Sequence, residues 1–229
     1  SLVISTIVSL IFFGREREAV AAASLALERE RTQRIEREAT LANLRALQAQ
    51  IEPHFLFNTL ANVTSLIDPD PAKARRMLES FIRFLRSSLG ATRAESTTLA
   101  DEGELMAAYL DVLQIRMGQR LRYEIDIPPE LHAFQLPPML LQPVVENSIR
   151  HGLEPKMDGG VVKVRARRED GAVVIEISDS GAGFAATTRG GVGLTNLRDR
   201  LRLLYGERAS LAIGESDGGG ARVTMSLPA

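Results

Sequence analysis

Cysteine is absent from the 229 residues. Without a thiol the chain has no disulfide scaffold, no thiolate zinc site, no thiol nucleophile and no iron–sulfur ligation. A reducing compartment suits such a chain, although oxidising ones tolerate it too. Histidine is scarce, with three in all, so imidazole chemistry is confined to His54, His132 and His151. Neither sign of charge dominates: 28 Lys and Arg face 29 Asp and Glu, for a formal net charge of -1. That balance gives no electrostatic case for nucleic acid, and no nucleic-acid partner is expected. Glycine (18) and proline (10) are too few for a collagen-like or low-complexity chain. No G-x-x-x-x-G-K-[ST] loop is present, and no H-E-x-x-H or paired-histidine metal spacing. What is there, 45% hydrophobic and 25% charged residues, is the composition of a globular protein of one or two domains.

Ser1 to Phe13 carries no charge and is followed by Arg15 and Arg17. A spanning helix needs about 20 apolar residues. Residues 1–14 are therefore expected to be the end of a truncated transmembrane helix, with the arginines on the cytoplasmic side. From Glu16 to Gln50 there is no Gly or Pro, and Ala, Leu, Glu and Arg predominate. Residues 15–40 read as a helical linker. Leu25, Ile35, Leu41, Leu44 and Leu47 make a broken heptad, which leaves a coiled coil and a single solvated helix both open.

A helical hairpin is expected next, over residues 41–92. Pro53 sits within the helical pattern, where a proline bends the axis. Phe55, Leu56, Leu60, Val63 and Ile67 continue it. Asp68-Pro69-Asp70-Pro71 breaks it, with Asp70 as N-cap and Pro71 at the first position of a second helix running to Leu89. Leu78, Phe81, Ile82, Leu85 and Leu89 form the expected apolar stripe of that helix. Two helices bury little core alone, so dimerisation into a four-helix bundle is expected.

Residues 97–229 read as an α/β sandwich. Asp101–Met117 is a predicted helix with Leu105, Tyr109, Val112 and Leu113 inward. Arg122–Ile127 alternates as a strand, and Met139–His151 follows two prolines as a helix. Val161–Arg168 and Ala172–Ser178 flank Asp170-Gly171, a strong hairpin signal. Val162, Val164, Ile175 and Ile177 would share its buried face. A helix over Gly193–Tyr205 and strands at Leu211–Ile213 and Arg222–Leu227 complete the set. Helices are expected on one face of a largely antiparallel sheet, so the fold class is α+β.

Three polar motifs recur in order along this part. Glu146-Asn147-Ser148-Ile149-Arg150-His151-Gly152 ends a helix; its carboxamide suits Mg²⁺, and Arg150, His151 and Lys156 suit a polyphosphate. An ordinary helix terminus, with cations favouring the dipole and Gly152 as a stop, explains the same residues. Asp179-Ser180-Gly181-Ala182-Gly183 follows a buried strand, where a carboxylate can accept from an exocyclic amine such as that of adenine. Gly190-Gly191-Val192-Gly193-Leu194-Thr195-Asn196 opens a helix, where free amides suit phosphate.

Together these segments resemble the N-box and the two G-boxes of the Bergerat-type (GHKL) ATP-binding fold. Upstream, Pro53-His54-Phe55-Leu56-Phe57-Asn58 resembles the H-box of the LytS-like sensor histidine kinases. Leu141-Gln142-Pro143-Val144-Val145-Glu146-Asn147 resembles that family's N-box. The resemblance covers nearly everything after about Leu41. It implies ATP and Mg²⁺ as cofactors, with Asn147 on the metal and Asp179 on adenine. Arg150, His151, Lys156, Gly181, Gly183, Gly191, Gly193, Leu194 and Asn196 would border the nucleotide, under a short lid between Phe184 and Gly190.

The implied activity is autophosphorylation of His54, followed by transfer to an aspartate of a response-regulator receiver domain. Imidazoles titrate near ~6.5 and are partly free nucleophiles at neutral pH. Phe55 stands where the commoner histidine kinases have an acidic residue after the histidine. Glu52, Glu146 or no protein base at all remain open as the base. Asn58, four residues after His54, shares its helix face and can orient the imidazole or a phosphate. The resemblance further implies a homodimer at the bacterial inner (cytoplasmic) membrane, attached through its N-terminal segment. A GHKL-fold ATPase or serine kinase, or an inactive dimeric scaffold, are the alternatives.

Overall fold

The computed structural model describes residues 53–91, 94–183, 192–217 and 219–229. The chain divides into two compact units, Ser1–Pro53 and His54–Ala229, and all described residues except Pro53 lie in the second. The expected membrane segment, the linker, Glu52, the lid and Gly191 lie outside the described residues.

Helix α1 (Pro53–Leu66) and helix α2 (Pro71–Ala91) form the hairpin. The Asp70 side chain accepts from the Lys73 amide at 2.9 Å, so the expected N-cap is in place. On α1, Phe55, Thr59 and Val63 are buried one turn apart, and the Thr59 hydroxyl donates to the Phe55 carbonyl at 2.7 Å.

The expected apolar stripe on α2 is not the face that packs within the chain. Phe81 alone of its five residues is buried; Leu78, Ile82 and Leu89 are exposed and Leu85 is half-buried. The buried face instead carries Ala74, Met77, Phe81 and Phe84 with two serines. The reason is that α2 is apolar on two faces, and the neighbouring helix of its own chain covers only one.

That neighbour is α3 (Leu99–Met117). It begins two residues earlier than expected because Thr98 and Asp101 form a capping box, with the Thr98 hydroxyl accepting from the Asp101 amide at 3.1 Å. Leu105, Tyr109, Val112 and Leu113 are all buried. The Phe55, Phe84 and Tyr109 rings meet with centroids 5.0 to 5.6 Å apart, and Phe81 packs against Phe55 at 6.1 Å. Such aromatic pairs add about 0.5–1.5 kcal/mol each beyond their burial.

A short antiparallel pair, β1 (Thr97–Thr98) with β3 (Gln135–Leu136), holds the start of α3. The main sheet contains β2 (Leu121–Asp126), β4 (Gly160–Glu169), β5 (Ala172–Asp179), β6 (Ser210–Glu215) and β7 (Ala221–Pro228). Their order is β2-β4-β5-β7-β6; β2 and β4 are parallel, and every other pair is antiparallel. Asp170 and Gly171 turn the β4–β5 hairpin with φ of 48° and 78°, the backbone that a two-residue primed turn demands. Val162, Val164, Ile175 and Ile177 lie on the buried face, as the alternation predicts. The helices cover that face and leave Lys163, Arg165 and Arg167 of the other exposed or half-exposed.

Helix α4 (Gln142–Asn147) is shorter than the expected Met139–His151. Met139 has φ of 57° and is not helical, so the start moves back by three residues. After Asn147 the chain widens into a π-helical turn over Ser148–Leu153, closed by the Glu154 amide on the Ile149 carbonyl at 2.9 Å. Helix α5 (Val192–Tyr205) completes the covering layer, with Leu194, Leu197 and Leu201 buried. The result is a helical hairpin followed by a mixed α/β sandwich, the class expected from the sequence.

Candidate functional site

Between α4 with its π-helical turn, the end of β5 and the start of α5 lies a cleft of about 510 Å³, a volume that includes open solvent. Asp179 forms its floor at the end of β5 and is 2% exposed. Its Oδ1 accepts from the Gly181 amide at 2.9 Å and the Ala221 amide at 3.2 Å. Its Oδ2 is buried and has no partner among the described residues. Leaving a charged acceptor unpaired costs about 1–3 kcal/mol or more. The floor is therefore incomplete without a donor from a ligand.

Three glycines let the backbone close around this carboxylate. A Cβ on Gly152 would lie 2.8 Å from Asp179 Oδ1. One on Gly181 would lie 2.3 Å from the Gly152 carbonyl carbon, and one on Gly220 would lie 2.0 Å from the Asp179 carbonyl oxygen. Gly152 thus serves packing, beyond the helix stop read from its position. The π-helical turn brings it there, and its carbonyl accepts from the Ala182 amide at 3.0 Å. Gly183 has φ of 75° and borders the cleft.

Val144, Leu194 and Val223 supply apolar walls; Asn147, Ser148 and His151 supply the polar rim. The Asn147 amide nitrogen is buried without a partner among the described residues, and a Cβ on Gly193 would stand 3.8 Å from it. The cleft therefore holds two orphaned buried polar groups, one acidic and one carboxamide, between apolar walls. A flat ring bearing an amine, with a polar tail, satisfies both.

The structure gathers Asn147, His151, Asp179, Gly181, Gly183, Gly193 and Leu194 of the expected residues around this cleft. Arg150 and Asn196 are exposed and do not line it. Lys156 donates to the Ser180 carbonyl at 2.8 Å, bracing the glycine loop from outside. Glu146 accepts from Gln142 at 2.7 Å and is half-buried on α4. His54 and Asn58 stand on α1, away from the cleft lining. His54 is exposed, and the Asn58 amide nitrogen lies 3.0 Å from its Nε2 and 3.3 Å from its Nδ1. The carboxamide can donate to whichever ring nitrogen carries the lone pair. Sequence reasoning missed Val144, Ser148, Gly152, Gly220, Ala221 and Val223. For Gly220, Ala221 and Val223 the glycine turn at 218–220 was the available signal, since three glycines exceed what a hairpin turn needs, whereas Val144, Ser148 and Gly152 stand within the two strings that resemble the N-box.

Two family models match this chain. "Histidine kinase" covers residues 42–121, and "Histidine kinase-, DNA gyrase B-, and HSP90-like ATPase" covers residues 137–229. The sensor histidine kinase BtsS of Escherichia coli is 36% identical over 190 residues, covering 82% of this chain and 34% of its own length. The chain belongs to the LytS-like sensor histidine kinases. YesM, a sensor histidine kinase of Bacillus subtilis, is 33% identical and covers 81% of the chain. The sensor protein LytS of Oceanobacillus iheyensis is 34% identical and covers 88%. The chain spans about a third of the length of these curated relatives. Among solved structures, the histidine kinase domain of a blue-light activated kinase from Erythrobacter litoralis is 16% identical, with a TM-score of 0.46, covering 82% of this chain and 91% of that one. Membership of this sensor kinase family, through its ATPase domain, implies that the chain binds ATP. No described helix is long and apolar enough to cross a membrane.

Proposed function

We propose that this chain is the kinase core of a membrane sensor of a two-component system, which moves the γ-phosphoryl group of ATP to His54 and then to an aspartate of a response regulator. Residues 41–92 would be the dimerising phosphotransfer hairpin and residues 97–229 the catalytic domain. The observation that carries the reading is the pairing of an exposed imidazole on α1 with a cleft whose buried Asp179 Oδ2 lacks a donor.

Adenine would place its exocyclic amine on Asp179 Oδ2, with its faces against Val144, Leu194 and Val223. Asn147, Ser148 and His151 would face the polar end of the nucleotide, toward the glycine-rich start of α5. Among the described residues no cluster of three or more His, Asp or Glu could hold a metal. Asn147 would therefore contribute one hard oxygen, and phosphate and water oxygens the rest, as Mg²⁺ commonly accepts. When bound, the ion neutralises charge on the phosphates.

His54 supplies the attacking lone pair. The nitrogen–phosphorus bond forms as the bond to the β-phosphate oxygen breaks, and ADP carries away the electron pair. The proton on the other ring nitrogen is then released. Asn58 holds the ring in its face. Phe57, Leu60, Leu78, Ile82 and Leu89 leave an exposed apolar surface on the hairpin, which supports a homodimer through a four-helix bundle. Attachment to the inner membrane would come through the N-terminal segment.

Labelled ATP should place an acid-labile, base-stable phosphate on the chain. His54→Gln should abolish it, and a labelled His54→Gln chain would overturn the assignment. Mixed dimers carrying His54→Gln on one subunit and Asn147→Ala on the other report whether transfer crosses between subunits.

A further inference from the structure

We propose that Glu102, on α3, is a positioning residue that holds α4 in register so that Asn147 and Val144 face the nucleotide cleft; this rests on the nucleotide reading above. Glu102 is 1% exposed, although a buried carboxylate is costly unless fully bonded. Its Oε1 accepts from the Met139 amide at 2.6 Å and its Oε2 from the Leu141 amide at 3.0 Å. Both partners belong to the turn that launches α4, 37 and 39 residues further along the chain.

Helix α4 has no cap of its own. Leu141, at its N-cap position, makes no side-chain hydrogen bond. Met139 is held at φ of 57°, a conformation that a side chain adopts only under constraint, and the Glu102 carboxylate supplies that constraint. A local Ser or Asp would satisfy the same amides, but a carboxylate from α3 also ties α4 to a second helix. On α3, seven residues beyond Glu102 and on the same face, Tyr109 packs its ring at a tilt against Phe55, the residue after His54. One helix thus touches the launch of the cleft wall at one point and the acceptor helix at the other.

The test uses the full chain and Mg-ATP, with calorimetric Kd, KM for His54 labelling, and melting temperature read on each variant. Glu102→Gln keeps the shape but points a donor at an amide. It should raise Kd and KM together by roughly five- to thirtyfold, with labelling at saturating ATP unchanged. Adding Met139→Gly should recover part of the lost affinity, because glycine reaches the left-handed conformation without strain. A Glu102→Gln chain that melts earlier but binds ATP with wild-type Kd overturns the proposal, as does a second substitution that recovers nothing. Should Glu102→Gln fail to fold, amide NMR of the wild type decides. A Met139 resonance moving with the same ATP midpoint as Asn147 supports positioning, and an unmoved one overturns it. Wild-type chain that binds no ATP would sink the nucleotide reading first, and this inference with it.

Discussion

Asp179 is held by two amides on one oxygen and by none of the described residues on the other. That asymmetry makes two substitutions informative. Asp179→Asn keeps the size but replaces an acceptor with a donor, so it should weaken ATP binding by about ten- to a hundredfold, the worth of a charge-assisted hydrogen bond. Titration calorimetry checks it. Gly152→Ala tests the cradle, since its methyl group would stand 2.8 Å from Asp179 Oδ1. Backbone must shift to make room, at about 1–3 kcal/mol in stability, and the carboxylate should lose its aim. Unfolding in urea together with the ATP Kd separates the two losses.

Glu102 allows a residue-scale prediction about pH. Burial raises its carboxyl above the usual range, while the amides of Leu141, Met139 and Leu140 and the charge of Arg200 pull it back less strongly. The native state therefore binds this proton more tightly than the unfolded chain does. Stability from this group is fully present below the ordinary value of 4.5 and is lost as pH rises through the raised native value. The stability difference between wild type and Glu102→Gln should shift in favour of the wild type as pH falls toward 4.5. Melting curves at a series of pH values check the sign.

At the scale of elements, legibility followed periodicity. The β4–β5 hairpin was readable to within a residue because alternation and the Asp170-Gly171 turn agree. Gly171→Ala should cost about 1–2 kcal/mol, the penalty for a Cβ in a left-handed conformation, measured by chemical denaturation with ATP binding unchanged. Helix α4 was misread because two prolines and an apolar run look like a helix start. The carboxylate that moves that start lies on α3, out of reach of any local pattern. The π-helical turn was equally hidden, since nothing in a period of 3.6 residues announces a wider turn. On α2 the expected apolar stripe exists, but the face that packs within the chain is a different one. A helix apolar on two sides does not say which side meets its own chain.

For the whole molecule, the uncovered face of the hairpin is the chief consequence of that division. Ile82 and Leu89 are 46% and 51% exposed. Replacing both with Glu should leave the monomer's melting temperature nearly unchanged, since surface substitutions rarely shift stability by more than about 0.5 kcal/mol. It should abolish the proposed dimer in sedimentation analysis. Phe84→Ala should do the reverse. It lies in the aromatic cluster at 1% exposure and should destabilise the hairpin against α3 by about 3–5 kcal/mol.

The linear order of residues was sufficient for the fold class, for the Asp170-Gly171 turn and the Asp70 cap, and for half of the residues that line the cleft. Those features depend on neighbours a few positions apart, or on motifs whose residues stand together in the chain. Tertiary structure alone decided which face of α2 is buried, where α4 begins, that Gly152 and Gly220 exist to admit Asp179, and that one oxygen of that carboxylate is left for a ligand. Each is a contact between segments tens of residues apart, set by how bulky elements fill shared space, and no local periodicity encodes such a contact.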